Sequence, residues 1–303
     1  MADVSLTISQ DPEALRAFTM HARTWRMNRY VYPVVSRRSK GISIGVNLNP
    51  DKVCNFDCIY CSVDRRGPAM EGGGGGVERE VDVEVLRGEL AGMLEMVRSG
   101  EIYRFDPFDK IPAGLRRLND IAFSGDGEPT TFKGFLQVCR MAAELKEGAG
   151  LEDVKLVVIT NATMFERPAV REALAFLDQH QGEIWAKLDA GTEGYYAVVE
   201  RTSVPFGRVL GNLLWCCQTR PTVIQSLFMR VHGELPSAGE IEAYAERLAE
   251  MVAQGGVIKL VQLYTVARTT TEAYATALTE GELMGIRERV VGRLPGVAVE
   301  VYP

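Results

Sequence analysis

No run of 18 apolar residues free of charge occurs in this chain, which excludes a membrane-spanning helix. The opening MADVSLTISQDPEAL has no basic stretch leading into an apolar core, so no secretory leader is expected and the cytoplasm is the expected compartment. Histidine is scarce: His21, His180 and His232 are the three, and they make no metal-ligand spacing. An excess of positive charge is also missing. The net charge is −6, which argues against a chain that binds nucleic acid along its whole surface. What is plentiful is ordinary globular material. Hydrophobic residues make up 46% and charged residues 24% of 303, enough apolar surface to exclude a disordered chain.

The cysteines are few but not scattered. Three of the six fall in Cys54-Asn-Phe-Asp-Cys58-Ile-Tyr-Cys61, a C-x3-C-x2-C spacing. In a reducing compartment, clustered thiols read as metal or redox ligands rather than disulfides. A structural zinc needs a fourth nitrogen or sulfur ligand. The nearest cysteine or histidine on the C-terminal side is Cys139. Three thiolates on a four-iron cluster would leave one iron open to a small chelating molecule. A zinc clip remains the alternative. Cys139 and Cys217 lie on apolar helical stripes and read as small buried hydrophobes, and the Cys216-Cys217 pair is at best a weak candidate for a second cluster.

The remainder alternates between two periodicities. Strands are expected at 42–48, 120–124, 155–160, 184–189, 222–229 and 257–265, with a short edge strand at 297–302. Helical spacing falls between them: at Leu86, Leu90, Met93, Leu94 and Val97; over 132–147; after Pro168; after the capping pair Ser237 and Glu240; and after Thr279 and Glu282. Gly72 to Gly76 form a flexible link. Six βα units imply a parallel sheet with helices outside, short of the eight that close a barrel. The expectation is an α/β fold, a partial (β/α)6 TIM-like barrel spanning 41–303, behind a basic N-terminal extension of residues 1–40.

Ligands of such sheets sit beyond the C-terminal strand ends. The cysteines follow the first strand. Ser124-Gly125-Asp126-Gly127-Glu128 follows the second, where the glycines permit close backbone approach. Asn161 and Thr163 follow the third. Trp185, Lys187 and Asp189 share a face at the fourth, and a lysine and an aspartate there are costly unless paired or used. The fifth turns either Gln225 or Ser226 inward. The sixth offers Gln262, Tyr264 and then Arg268.

Residues 14–40 hold Arg16, Arg23, Arg26, Arg29, Arg37, Arg38 and Lys40 with no acid at all, interleaved with Trp25, Tyr30 and Tyr32. Such a segment either contacts phosphate and stacks on bases or packs internally across the fold.

The cysteine loop resembles that of the radical S-adenosylmethionine (SAM) superfamily. Ser36 to Pro50 leading into Cys54-Asn-Phe-Asp-Cys58-Ile-Tyr-Cys61 looks like its branch related to wyosine-synthesis enzymes, which rebuild a tRNA guanine. The resemblance implies an oxidoreductase-like enzyme with two cofactors, a 4Fe–4S cluster on Cys54, Cys58 and Cys61, and SAM. It assigns Gly125, Asp126, Gly127 and Glu128 to the SAM amino group, with Asp126 in place of a glycine. Tyr60 would lie beside the adenine and Asp189 at the ribose; Asn161 joins the expected cofactor-binding residues from its polar position at the end of the third strand. Lys187 takes the part of a substrate-binding lysine. The wyosine enzymes carry further cluster cysteines upstream, and here none precedes Cys54. A reductant such as flavodoxin or ferredoxin is implied, and a substrate that is a tRNA or a protein. Activation of a glycyl-radical enzyme and a non-catalytic iron–sulfur or zinc protein are the other readings.

Overall fold

Asp82 shows how local chemistry sets the elements. Its carboxylate accepts from the backbone N–H groups of Glu84 and Val85 and so opens helix α1 (Val83–Arg98), whose buried stripe is Leu86, Leu90, Met93, Leu94 and Val97. The computed structural model describes residues 25–65 and 80–303. The other helices are α2 (Phe135–Gly148), α3 (Pro168–Leu177), α4 (Glu193–Glu200), α5 (Phe206–Thr219), α6 (Ala238–Ala253) and α7 (Glu280–Arg293). Ser237 caps α6, and Thr279 with Glu282 forms the expected capping box of α7.

Eight strands form one sheet: β1 (Val31–Ser36), β2 (Gly41–Val46), β3 (Leu118–Phe123), β4 (Lys155–Thr160), β5 (Gly182–Lys187), β6 (Thr222–Leu227), β8 (Ile258–Tyr264) and β10 (Val299–Tyr302), in that order. A separate two-stranded ladder pairs β7 (Arg230–Val231) with β9 (Ala275–Thr276). Apart from the antiparallel β1–β2 pair, the ladders β2–β3, β5–β6, β6–β8 and β8–β10 are all parallel. This is the expected α/β class, with the strand sequence of a partial barrel and β1 and β10 as its first and last members. Among the described residues, no helix is long and apolar enough to cross a membrane.

The chain divides into two compact units. One comprises Met1–Asp51, Ala69–Val157 and Ala175–Gly182. Its core gathers Ile42, Ile44 and Val46 of β2, Ile121 and Phe123 of β3, and the stripe of α1, which packs against α2 and β1. Strand β1 was not expected. It begins inside the basic stretch, and its Tyr32 fills the space above Gly45, where a Cβ would lie 2.3 Å from the ring. The other unit comprises Lys52–Pro68, Val158–Leu174 and Glu183–Pro303. There α6 packs against α5 and α7, and Cys216 and Cys217 are fully buried. Burial pushes the Cys217 thiol up to about 12, as suits an inert core cysteine.

Candidate functional site

The cysteine loop is held by its backbone. Helix α4 ends with unpaired carbonyls, and the loop supplies the missing donors: Asp57 N–H bonds Glu200 O at 3.1 Å and Ile59 N–H bonds Val199 O at 3.0 Å. On the loop's other side, Thr271 N–H reaches Cys61 O at 2.8 Å and Glu272 N–H reaches Ile59 O at 3.3 Å. Phe56 and Ile59 are buried, while Cys54, Cys58 and Cys61 stay half-buried. Arg201 takes a left-handed backbone with φ of 44° at the end of α4 and clamps the loop through Asp57 and Glu272.

Each sulfur has its own surroundings. Cys58 Sγ donates to Glu200 Oε2 at 2.7 Å. Cys61 Sγ accepts from Val63 N–H at 3.5 Å and from the Arg65 guanidinium at 3.6 Å. Cys54 Sγ lies 3.9 Å from Asn55 Oδ1. Among the described residues, no group of three His, Cys, Asp or Glu side chains is gathered as a metal site. The donors fit a thiolate-held cluster in kind and number: three thiols on one anchored loop, with N–H donors toward the sulfur of Cys61. Cys58 would have to release Glu200 to join it. Burial and the nearby Glu200 raise the Cys58 pKa well above that of a free thiol.

Tyr60, Lys187 and Asp189 converge, with Asp189 as the hub. Its Oδ1 accepts from Leu227 N–H at 2.6 Å. Its Oδ2 accepts from the Tyr60 hydroxyl and pairs with Lys187 Nζ at 3.0 Å. Lys187 also donates to Tyr264 OH at 2.7 Å, and its ammonium lies over the rings of Tyr60 and Tyr264, 4.7 and 5.3 Å from the centroids. Burial disfavours that charge, but Asp189, Tyr264 and Glu200 outweigh it, and the lysine pKa is raised. Burial and Asp189 push the Glu200 carboxyl upward. Glu200 escaped the sequence reading because α4 was not expected. The only local signal was Thr192, whose side chain caps that helix by accepting from Tyr195 N–H.

Asn161 reaches the cysteine loop. It donates to Asn55 Oδ1 at 2.8 Å, Asn55 donates to Thr163 Oγ1 at 2.6 Å, and Thr163 returns a bond to Asn161 Oδ1 at 2.7 Å. This closed ring ties the residue after Cys54 to the end of β4.

In the other unit, the turn after β3 is organised by a residue not singled out as a ligand. Asn47 accepts from the N–H groups of Asp126 and Asn49, and donates to Asp126 Oδ2 at 2.7 Å. A Cβ on Gly125 would lie 2.3 Å from Asn47 Oδ1, so glycine is required there. Glu128 is buried and turns inward as a cap, accepting from Thr130 N–H at 3.1 Å and from its hydroxyl. Gly127 remains half-exposed.

Arg16, Arg23 and His21 lie outside the described residues, as does Gly72 to Gly76. Further along the basic stretch, the aromatics pack internally. Trp25 meets Phe105 and Phe108 edge-on, and Tyr30 and Tyr32 are buried. His180 stacks on Phe176 and His232 on Tyr274, at 4.1 Å each.

No family model matches the chain. A UPF0026 protein of Helicobacter pylori is 25% identical over 254 residues, covering 83% of this chain and 70% of that protein. A radical SAM methyltransferase from Sphaerobacter thermophilus superposes with a TM-score of 0.56 at 15% identity, over 90% of this chain and 68% of its own. Streptococcus suis SuiB, solved with S-adenosylmethionine bound, gives 0.54 at 13% identity, over 88% of this chain and 52% of its own. The chain therefore has the fold found in these two proteins.

Proposed function

We propose that this protein is a radical SAM enzyme. The observation that carries the reading is the joining of the anchored three-cysteine loop to a buried polar hub through Tyr60 and Asp189. Cys54, Cys58 and Cys61 would hold a 4Fe–4S cluster. Such a group, when loaded, supplies the electron that splits SAM to methionine and a 5′-deoxyadenosyl radical able to abstract hydrogen from a substrate.

The chain's own residues do the positioning. Asp189 is held by three donors, placed to accept from ribose hydroxyls. Tyr60, between the second and third cysteines, offers its ring beside the adenine. Gly125 and Gly127, on a turn fixed by Asn47, offer backbone to the amino group, with Asp126 and Glu128 locked into the turn itself. Asn161 braces the loop. Lys187 sits at the substrate end. A flavodoxin- or ferredoxin-type reductant and a reducing, cytoplasmic setting belong to this reading. Burial of Tyr30 and Tyr32 weighs against a base-stacking arm, and so against tRNA as the substrate through that segment.

The test is anaerobic reconstitution with iron and sulfide, then dithionite and SAM, with 5′-deoxyadenosine read by mass spectrometry. Wild type should form the product and Cys58→Ala should not. An intact, reducible cluster that yields no product would overturn the reading.

A further inference from the structure

Alternation along β6 decides which side chain faces inward. Ser226 Oγ meets Tyr244 OH of α6 at 2.6 Å, on the helix side. Gln225 therefore points to the other face, in register with Lys187 of β5 and Gln262 of β8. These three make one row across three neighbouring strands. The row before it, Trp185, Val223 and Leu260, is apolar.

Gln225 is fully buried, and its Nε2 donates to Gln262 Oε1 at 2.8 Å. Its own Oε1 is buried with no hydrogen-bond partner among the described residues. A buried amide oxygen left unmet is destabilising, because its desolvation is not repaid. Above it runs a cover. Lys187 on β5 donates to Tyr264 on β8 at 2.7 Å, and β6 lies between those strands, so the bond crosses over β6 beside Gln225. That bridge spans about 10 Å of sheet. The Lys187 charge is already met by Asp189 at 3.0 Å, so the row as a whole calls for a neutral guest.

We propose that Gln225 and Gln262 form the floor of a substrate-recognition site covered by the Lys187–Tyr264 bridge. The guest is a neutral amide-type edge, an N–H beside a C=O, as in a carboxamide, lactam or imide. Its N–H donates to Gln225 Oε1, and its C=O accepts from the Gln262 amide nitrogen, which the Gln225 bond does not use. The guest enters when Lys187 and Tyr264 part. This deepens the radical SAM reading, on which its role as a substrate site rests.

The probes are glutarimide, which carries N–H between two carbonyls, and N-methylglutarimide, which keeps the carbonyls and loses the donor. Both are titrated into the full chain by ligand-observed NMR. Glutarimide should bind at least about fivefold tighter, because a site built to accept a donor rejects the analogue lacking it. In Gln225→Leu the ratio should fall to about one, with a lower melting temperature because Gln262 Oε1 loses its buried donor. Gln225→Met carries the same test if the leucine variant melts early. Tyr264→Phe, which removes the hydroxyl that Lys187 holds, should tighten glutarimide about threefold. A ratio of one in wild type, or a ratio that survives both Gln225 variants, overturns the proposal and leaves Gln225 a structural residue. SAM binding is measured on the same preparation. If SAM does not bind while the imide ratio stands, the enzyme reading fails and the recognition site does not.

Discussion

Tyr60, between the second and third cysteines, donates its hydroxyl to Asp189 at the end of β5, across 129 residues of chain. Tyr60→Phe should leave iron loading intact, since the cysteines and the backbone anchors of the loop are untouched. It removes one of the three donors that orient Asp189. SAM affinity should weaken by roughly tenfold, the equivalent of about 1.4 kcal/mol. Equilibrium dialysis checks it. An unchanged affinity would remove Asp189 orientation from the account.

The two classes of cysteine should separate cleanly. Cys58→Ala should cut iron and sulfide bound per chain to near background. Cys139 is fully buried within α2, so Cys139→Ala should retain the metal and cost about 1 kcal/mol of stability. Iron analysis and thermal melting decide. Equal metal loss in both variants would sink the assignment.

Asn47 serves three polar partners at once. Asn47→Ala removes the acceptor of the Asp126 and Asn49 N–H groups and one donor to the buried Asp126 carboxylate. The expected loss is about 2–3 kcal/mol, seen as a lower melting temperature. Gly125→Ala should be as harmful, because its Cβ would meet the same side chain. Wild-type melting of both variants would contradict the geometry.

Glu89 gathers three consecutive backbone donors. Its carboxylate accepts from the N–H groups of Arg29 and Tyr30 at 2.7 and 2.9 Å, and of Val31 at 3.1 Å. Glu89→Ala should raise amide exchange at residues 29–31 by about tenfold or more, with Glu89→Gln intermediate. Exchange confined to other segments would falsify this anchor.

Asp120 supplies a pH signature. Burial raises its pKa, only partly opposed by hydrogen bonds from Ser39 and Ser43. A raised folded-state pKa means that stability is fully present below the unfolded value and is lost as pH rises through the folded one. Asp120→Asn should therefore melt like wild type at strongly acid pH and increasingly above it as pH rises. A gap that widens toward acid would reverse the sign.

Much of this was legible in the residues. Helices α1, α6 and α7 followed from 3.6-residue stripes and from caps three residues apart, and β2 to β6 and β8 from short apolar runs. These are properties of neighbours in the chain, and they emerged within a few residues of the expected bounds. Strand β1 was hidden because residues 14–40 read as one basic extension, a phosphate-contacting or internally packed segment, not as part of the sheet. Its apolar Val31, Val34 and Val35 become intelligible only once β2 is there to pair with.

The site divides the same way. The sequence by itself determined the donors: the cysteine spacing, the glycine turn, and a lysine and an aspartate two apart on one strand. Tertiary structure decided their partners. Glu200 meets Cys58 across 142 residues, Asn47 meets Asp126 across 79, and Tyr264 meets Lys187 across 77. It also settled that Gln225 rather than Ser226 faces inward. Spacing along a chain is fixed by backbone geometry, whereas these pairings depend on strand order, register and the helix that closes over each strand. No local pattern encodes those quantities.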